Sequence, residues 1–109
     1  MQRRTLFAVV SVAAIPGAWA SDKRPTIAEA QHAYHVGQYR RSLDLFESLA
    51  GQRNAEAAEC AGFMLLMGEP MYGNQVRRDV ERAKVFLVQA AAAGRAGAGF
   101  LLNMVERTD

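Results

Sequence analysis

The sequence has a single cysteine, Cys60, so no disulfide can form within the chain, even in an oxidising compartment. No segment alternates apolar and polar residues for long enough to predict a strand, and Gly73-Asn74 has no strand pattern on either side. These absences exclude a disulfide-stabilised scaffold and give no support to a β-sheet. The fold class that remains is all-α.

An excess of charge of one sign is also lacking. The chain has 13 Lys and Arg residues and 11 Asp and Glu residues. Two of the basic residues, Arg3 and Arg4, lie in an amino-terminal segment that we expect to be removed, which leaves 11 of each sign. A nucleic-acid-binding protein needs a basic face in its working form. We therefore expect no nucleic-acid partner.

The amino terminus has the composition of a secretory signal. A basic start, Arg3-Arg4, precedes an uncharged, largely apolar run over residues 5–15, and small residues stand at Ala18 and Ala20. The apolar run is shorter than the roughly 20 residues of a membrane-spanning helix, which argues against an uncleaved anchor and against stable membrane insertion after cleavage. We predict a signal peptide over residues 1–20, cleavage after Ala20 and a periplasmic location. Secretion into the medium is the alternative location.

Apolar spacing and helix-end residues predict helices along the rest of the chain. A polar leader, residues 21–25, ends at a capping box formed by Thr26 and Glu29. Five helices are then predicted, at about Ile27 to Val36, Tyr39 to Gly51, Ala55 to Met67 behind the N-cap Asn54, Val80 to Ala93 behind the N-cap Asp79, and Arg95 to Arg107, with a loop over residues 69–78. Because short connections make neighbouring helices antiparallel, we expect a short α-solenoid of stacked helix pairs.

Small, apolar and helix-ending residues recur through the middle of the chain. They are Ala55, Glu56, Ala57, Gly62, Leu65, Gly68, Val76, Asp79, Ala83, Phe86, Ala90, Ala91, Gly94 and Ala98. Their pattern strongly resembles the Sel-one-like repeat, a helical-pair repeat related to the tetratricopeptide repeat. The segment from Gly68 to Val76 is longer than that pattern has, Phe86 replaces a more typical Trp, and Asn103 replaces a glycine.

The chain upstream resembles the turn and second helix of a tetratricopeptide repeat. The positions that carry this resemblance are Ala30, Gly37, Tyr39, Ser42 and Phe46. The predicted segments are therefore a tetratricopeptide-like helix pair over 26–53, a Sel-one-like repeat over 54–94 and a carboxy-terminal capping helix over 95–109.

What the resemblance implies is a scaffold without enzymatic activity, whose concave groove holds a peptide or a partner protein. The implied groove residues lie on two helices and are Gln31, Tyr34, His35, Glu56, Glu59 and Phe63. No catalytic residue and no cofactor is implied. The alternative is a self-associating structural unit of an envelope assembly, in which the end helices of two copies stack.

His32, His35 and Cys60 carry a remote chemical alternative, a small metal or redox protein. The two imidazoles share a helix face, but no HExxH or CxxC spacing supplies further ligands or a redox pair. Cys60 stands among small residues, which favours a buried thiol in a close helix contact. We therefore expect neither a metal nor a cofactor.

Overall fold

The computed structural model describes residues 24–108, and every regular element in that range is helical. The elements are α1 (Ile27–His35), α2 (Tyr39–Gly51), α3 (Ala55–Met67), α4 (Glu69–Tyr72), a 3-10 turn (Gly73–Gln75), α5 (Val80–Ala92) and α6 (Ala96–Thr108). The all-α prediction is confirmed for this part of the chain. The predicted signal peptide, its cleavage point and the first three residues of the leader lie outside the described residues.

Side-chain caps begin three of the helices where the sequence predicted them. Thr26 Oγ1 accepts a hydrogen bond from the backbone N–H of Glu29 (3.1 Å), and the Glu29 carboxylate accepts one from the N–H of Thr26 (2.9 Å). Asn54 and Asp79 each accept a bond from the N–H three residues later, at 2.9 and 3.1 Å. These bonds satisfy N–H groups that have no partner within the helix.

Two glycines end helices as predicted. Gly37 has φ +83° after α1 and Gly94 has φ +95° after α5, a region in which a side chain is strained. At each site the next residue donates its N–H to the carbonyl five residues earlier, Gln38 to Ala33 (2.9 Å) and Arg95 to Ala90 (3.0 Å). This closing bond reverses the chain sharply enough for the next helix to return along the previous one.

α2 ends at Gly51 as predicted, but the turn that follows is not made by this glycine. Gly51 is the last helical residue rather than the residue that turns the chain, and the left-handed conformation falls on Arg53 (φ 69°). The closing bond here runs from the N–H of Asn54 to the carbonyl of Leu49 (3.0 Å), which sets the turn two residues beyond Gly51. An arginine therefore occupies a position that glycine fills after α1 and α5.

The expected surface loop over residues 69–78 is instead a folded connection, which raises the number of α-helices between residues 24 and 108 from the expected five to six. Its aromatic residue, Tyr72, is 3% exposed and packs in the core. The side chain of Gln75 reaches the turn between α1 and α2, accepting from the N–H of Tyr39 (2.8 Å) and donating to the carbonyl of Gly37 (3.0 Å). The segment over residues 69–78 thus packs against and hydrogen-bonds to the pair of helices α1 and α2.

The most extensive helix contact joins α3 and α5. A side chain at Gly62 would stand 2.7 Å from Leu87, so the glycine lets the two helices approach. The N–H of Asp79 donates to the carbonyl of Leu65 (2.9 Å), and since Asp79 begins α5 while Leu65 lies late in α3, α5 runs back along α3. Close packing of small residues here matches the contact that the sequence predicted.

The core runs through all five long helices. Its most buried residues include Ala30, Phe46, Leu49, Ala57, Ala58, Ala61, Met64, Leu65, Val76, Ala83, Leu87, Ala90, Ala98 and Val105. Of the predicted repeat positions, Phe46, Ala57, Gly62, Leu65, Gly68, Ala83, Ala90 and Ala98 are buried, whereas Tyr39, Phe86 and Ala91 are partly exposed. Among residues 24–108 no helix combines the length and the apolar composition that crossing a bilayer takes.

Candidate partner-binding groove

An open groove of about 380 Å³ lies where α1, α3 and α6 face one another. It is lined by Gln31, Tyr34, His35, Phe46, Glu59, Cys60, Phe63, Met64 and Leu101. Five of the six residues implied as groove-facing are in this lining. The sixth, Glu56, stands beside it, and its carboxylate accepts a hydrogen bond from Gln31 Nε2 (3.3 Å).

The floor of the groove is apolar and belongs to the core. Phe46 of α2 and Met64 of α3 are 2% and 1% exposed, so the groove opens directly onto the packed interior. Phe63 and Leu101, both partly exposed, line the groove beside them. An apolar floor beneath a few polar groups is the usual composition of a binding cleft.

One wall of the groove is braced by three tyrosines. The hydroxyl groups of Tyr34 and Tyr72 share a hydrogen bond of 2.9 Å, and both rings lie against Tyr39, with centroid distances of 5.3 and 4.9 Å. Burial and the bond to Tyr34 raise the pKa of Tyr72, which keeps its phenol protonated. These contacts hold Tyr34 in one orientation at the edge of the groove.

The opposite rim is set by an ion pair. Arg95 Nε donates a hydrogen bond to Glu59 Oε1 (2.9 Å), Nη2 lies 2.7 Å from the same oxygen, and this pairing raises the pKa of Arg95. A side chain on Gly97 would collide with the Glu59 carboxylate, so the glycine lets α6 begin against α3. The pair therefore fixes where α6 sits beside the groove, while exposure to solvent keeps its energetic contribution small.

Cys60 lies in the groove lining as a neutral thiol. Burial, followed by the charges of Glu56 and Glu59, raises the pKa of Cys60 to about 11. A thiol with a pKa in this range has almost no thiolate at neutral pH, and thiolate is the form that reacts or binds metal. Cys60 is only partly buried, so the buried thiol that the sequence favoured is found only in part.

The histidines do not form a metal site with other ligands in the described part of the chain. His35 lines the groove and His32 is exposed. Between residues 24 and 108, no three His, Cys, Asp or Glu side chains come close enough to hold a metal ion.

Several lining residues were missed by the sequence interpretation. Phe46, Met64 and Leu101 carry a core pattern, and only the crossing of three helices turns their edges toward one cleft. Tyr72 had one signal, a large aromatic side chain inside a polar segment, and its burial depends on contacts with α1 and α2.

Comparison of the chain with protein-family models, with curated proteins and with solved structures found no match. Between residues 24 and 108 the chain is all-helical and carries a cleft with an apolar floor and braced walls. Its function is therefore argued from the residues of that cleft.

Proposed function

We propose that this protein is a periplasmic helical-repeat module of the Sel-one-like kind, which binds a segment of another protein in the groove and catalyses no reaction. The observation that carries the proposal is the groove itself, with core residues as its floor and Gln31, His35 and Glu59 at its edges. Its two walls are held before any ligand arrives, by the tyrosine contacts on one side and by the Arg95–Glu59 pair on the other. A cleft prepared in this way loses little entropy when it binds.

A repeated local geometry supports the solenoid part of the proposal. The bond between Leu49 and Asn54 and the bond between Ala90 and Arg95 close equivalent turns. The number of residues between these two turns equals the number between Ala57 and Ala98. Both alanines are fully buried. Equal spacing of equivalent turns and equivalent core residues is what a stack of similar helix pairs requires.

Position-specific photo-crosslinking in intact cells tests the binding function. A photo-reactive amino acid at Gln31, in the groove, is compared with the same residue at Ser48, exposed on α2. We expect a discrete adduct with a second protein from position 31 and none from position 48. Equal adducts from both positions, or none from position 31, would contradict the groove as the working surface.

The periplasmic part of the proposal has its own test. Cell fractionation followed by amino-terminal sequencing should recover a chain that begins at Ser21 in the periplasmic fraction. A chain that retains Met1 and stays with the cytoplasm would disprove export without affecting the groove.

Self-association is the second candidate, because α5 leaves two large apolar side chains on its surface. Val85 and Val88 are 65% and 52% exposed and lie on one side of α5, three residues apart. Light scattering coupled to size exclusion, over a wide concentration range, distinguishes the candidates. A dimer that dissociates on dilution and is lost in Val88→Ser favours self-association, and a monomer at every concentration excludes it.

A further inference from the structure

α6 carries two exposed apolar side chains, Phe100 and Met104, close in sequence to the groove residue Leu101. Phe100 lies as many residues after Glu59 as the buried Ala98 lies after the buried Ala57. Met104 lies the same number of residues after Phe63. Phe100 and Met104 on α6 therefore occupy positions equivalent to those of the groove residues Glu59 and Phe63 on α3. Phe100 is 66% exposed and Met104 is 46% exposed, and their four-residue spacing puts them on one face of α6. Met104 also borders a second cleft, which is lined by Leu66, Met67, Pro70, Arg78 and Val105.

The half of the groove that borders Glu56 and Glu59 of α3 carries a negative field. Glu56 and Glu59 border it, and the one cation among the contacts at this rim, Arg95, is paired to Glu59. The two carboxylates raise the pKa of the Cys60 thiol between them more than Arg95 lowers it. A cation placed near Cys60 is therefore stabilised, and an anion is repelled.

The two halves together specify the chemistry of a ligand. We infer that the groove binds a peptide segment in which large apolar side chains stand next to Lys or Arg. The apolar side chains cover Phe63, Phe100 and Met104, and the cation lies beside Glu56 and Glu59. This inference rests on the proposed function, and it adds the class of partner segment that the groove selects.

An acidic or purely apolar segment suits this surface less well. An acidic segment would place like charges against Glu56, which costs binding energy. A purely apolar segment would cover the Glu56 carboxylate, whose described partner is the neutral amide of Gln31, without bringing a cation to it, and a buried charge without a counter-ion is unfavourable. The charge of the rim thus decides between ligands that the apolar floor alone would accept equally.

Selection from a phage-displayed library of random peptides on the immobilised mature chain tests the inference. We expect the enriched peptides to combine Leu, Phe, Met or Trp with adjacent Lys or Arg. Enriched peptides that lack Lys and Arg, or that carry Asp and Glu, would overturn the inference and leave the groove function standing. Failure to enrich any peptide that competes for the groove would overturn both.

Matched variants locate the binding of a selected peptide, measured by fluorescence anisotropy. Phe100→Ser should weaken binding by about tenfold or more, while Val85→Ser, at a side chain of nearly the same exposure on α5 (65% against 66%), should leave it unchanged. Glu56→Gln should weaken binding by about threefold to tenfold and flatten its salt dependence. Glu106→Gln, the same change at an exposed site on α6, should alter neither the affinity for the peptide nor its salt dependence. Equal effects of the matched pairs would place the peptide elsewhere and overturn the inference.

Discussion

The hydroxyl groups of Tyr34 and Tyr72 lie 2.9 Å apart, close enough for either to donate to the other. Tyr34 belongs to α1 and lines the groove, whereas Tyr72 belongs to the short helix α4. The hydrogen bond therefore links a wall of the groove to a segment whose sequence predicted only a surface loop. It also explains how a tyrosine that is 3% exposed satisfies its polar atom.

Removing the Tyr72 hydroxyl should destabilise the fold modestly. Tyr72→Phe keeps the ring contacts with Tyr34 and Tyr39 but leaves the Tyr34 hydroxyl without this partner, at an expected cost of about 1 kcal/mol in the free energy of unfolding. Urea denaturation measures the change. The double variant Tyr34→Phe/Tyr72→Phe should lose less unfolding free energy than the sum of the two single losses, because no hydroxyl is then left without its partner. Strictly additive losses would show that the two groups are not coupled.

Two helical glycines should respond in opposite ways to the same substitution. Gly62→Ala brings a methyl group to 2.7 Å from the side chain of Leu87, and separating α3 from α5 should cost about 1–3 kcal/mol. Gly51→Ala, in α2, meets nothing within 4 Å and should raise stability by about 0.5–1 kcal/mol, because alanine favours helix. Thermal unfolding of the two variants beside the parent chain measures both signs. A Gly62→Ala variant as stable as the parent chain would mean that α3 and α5 do not approach closely at Gly62.

Most helix boundaries could be predicted because their causes are local. Thr26, Asn54 and Asp79 bond to N–H groups three residues away, and Gly37 and Gly94 adopt a left-handed turn that few other residues favour. Such interactions depend on neighbours in the sequence alone. They also support the all-α class, since no segment between these helix ends has the alternating pattern of a strand.

Long-range contacts account for what the sequence did not predict. A four-residue helix such as α4 is too short to show periodicity, and its stability comes from Tyr72 packing against α1 and α2. The groove residue Leu101 repeats an ordinary core spacing, and its position beside Cys60 follows from the way α6 begins against Glu59. Helix crossings of this kind depend on the whole fold.

Arg53 should be replaceable by glycine with a gain in stability. Its φ of 69° strains a side chain that glycine lacks, so Arg53→Gly should raise the free energy of unfolding by up to about 1 kcal/mol. Gly94→Ala tests the converse at the equivalent turn after α5, where φ is +95° and an equal or larger loss is expected. Nothing lies within 4 Å of a side chain added at Gly94, so that loss reports backbone strain rather than collision. A destabilised Arg53→Gly variant would mean that the arginine makes compensating contacts.

The Cys60 thiol should react slowly and should make stability depend on pH in the alkaline range. Burial and the carboxylates of Glu56 and Glu59 raise the pKa of Cys60 from 9.0 to about 11, so the folded chain keeps the thiol proton at pH values where the unfolded chain releases it. The resulting stabilisation is complete below pH 9.0 and is lost as pH rises toward about 11. Alkylation by iodoacetamide near pH 8 should be at least about tenfold slower than for the same thiol in urea.

Cys60→Ala serves as the control, because it removes the titrating group. The variant should lose less stability than the parent chain between pH 9.0 and about 11 in urea denaturation. Glu56→Gln should lower the pKa of Cys60 and speed alkylation, since one of the two charges that oppose the thiolate is gone. If Glu56→Gln leaves the alkylation rate unchanged while the fold is intact, the carboxylates do not act on the thiol, and the negative field assigned to this half of the groove is wrong.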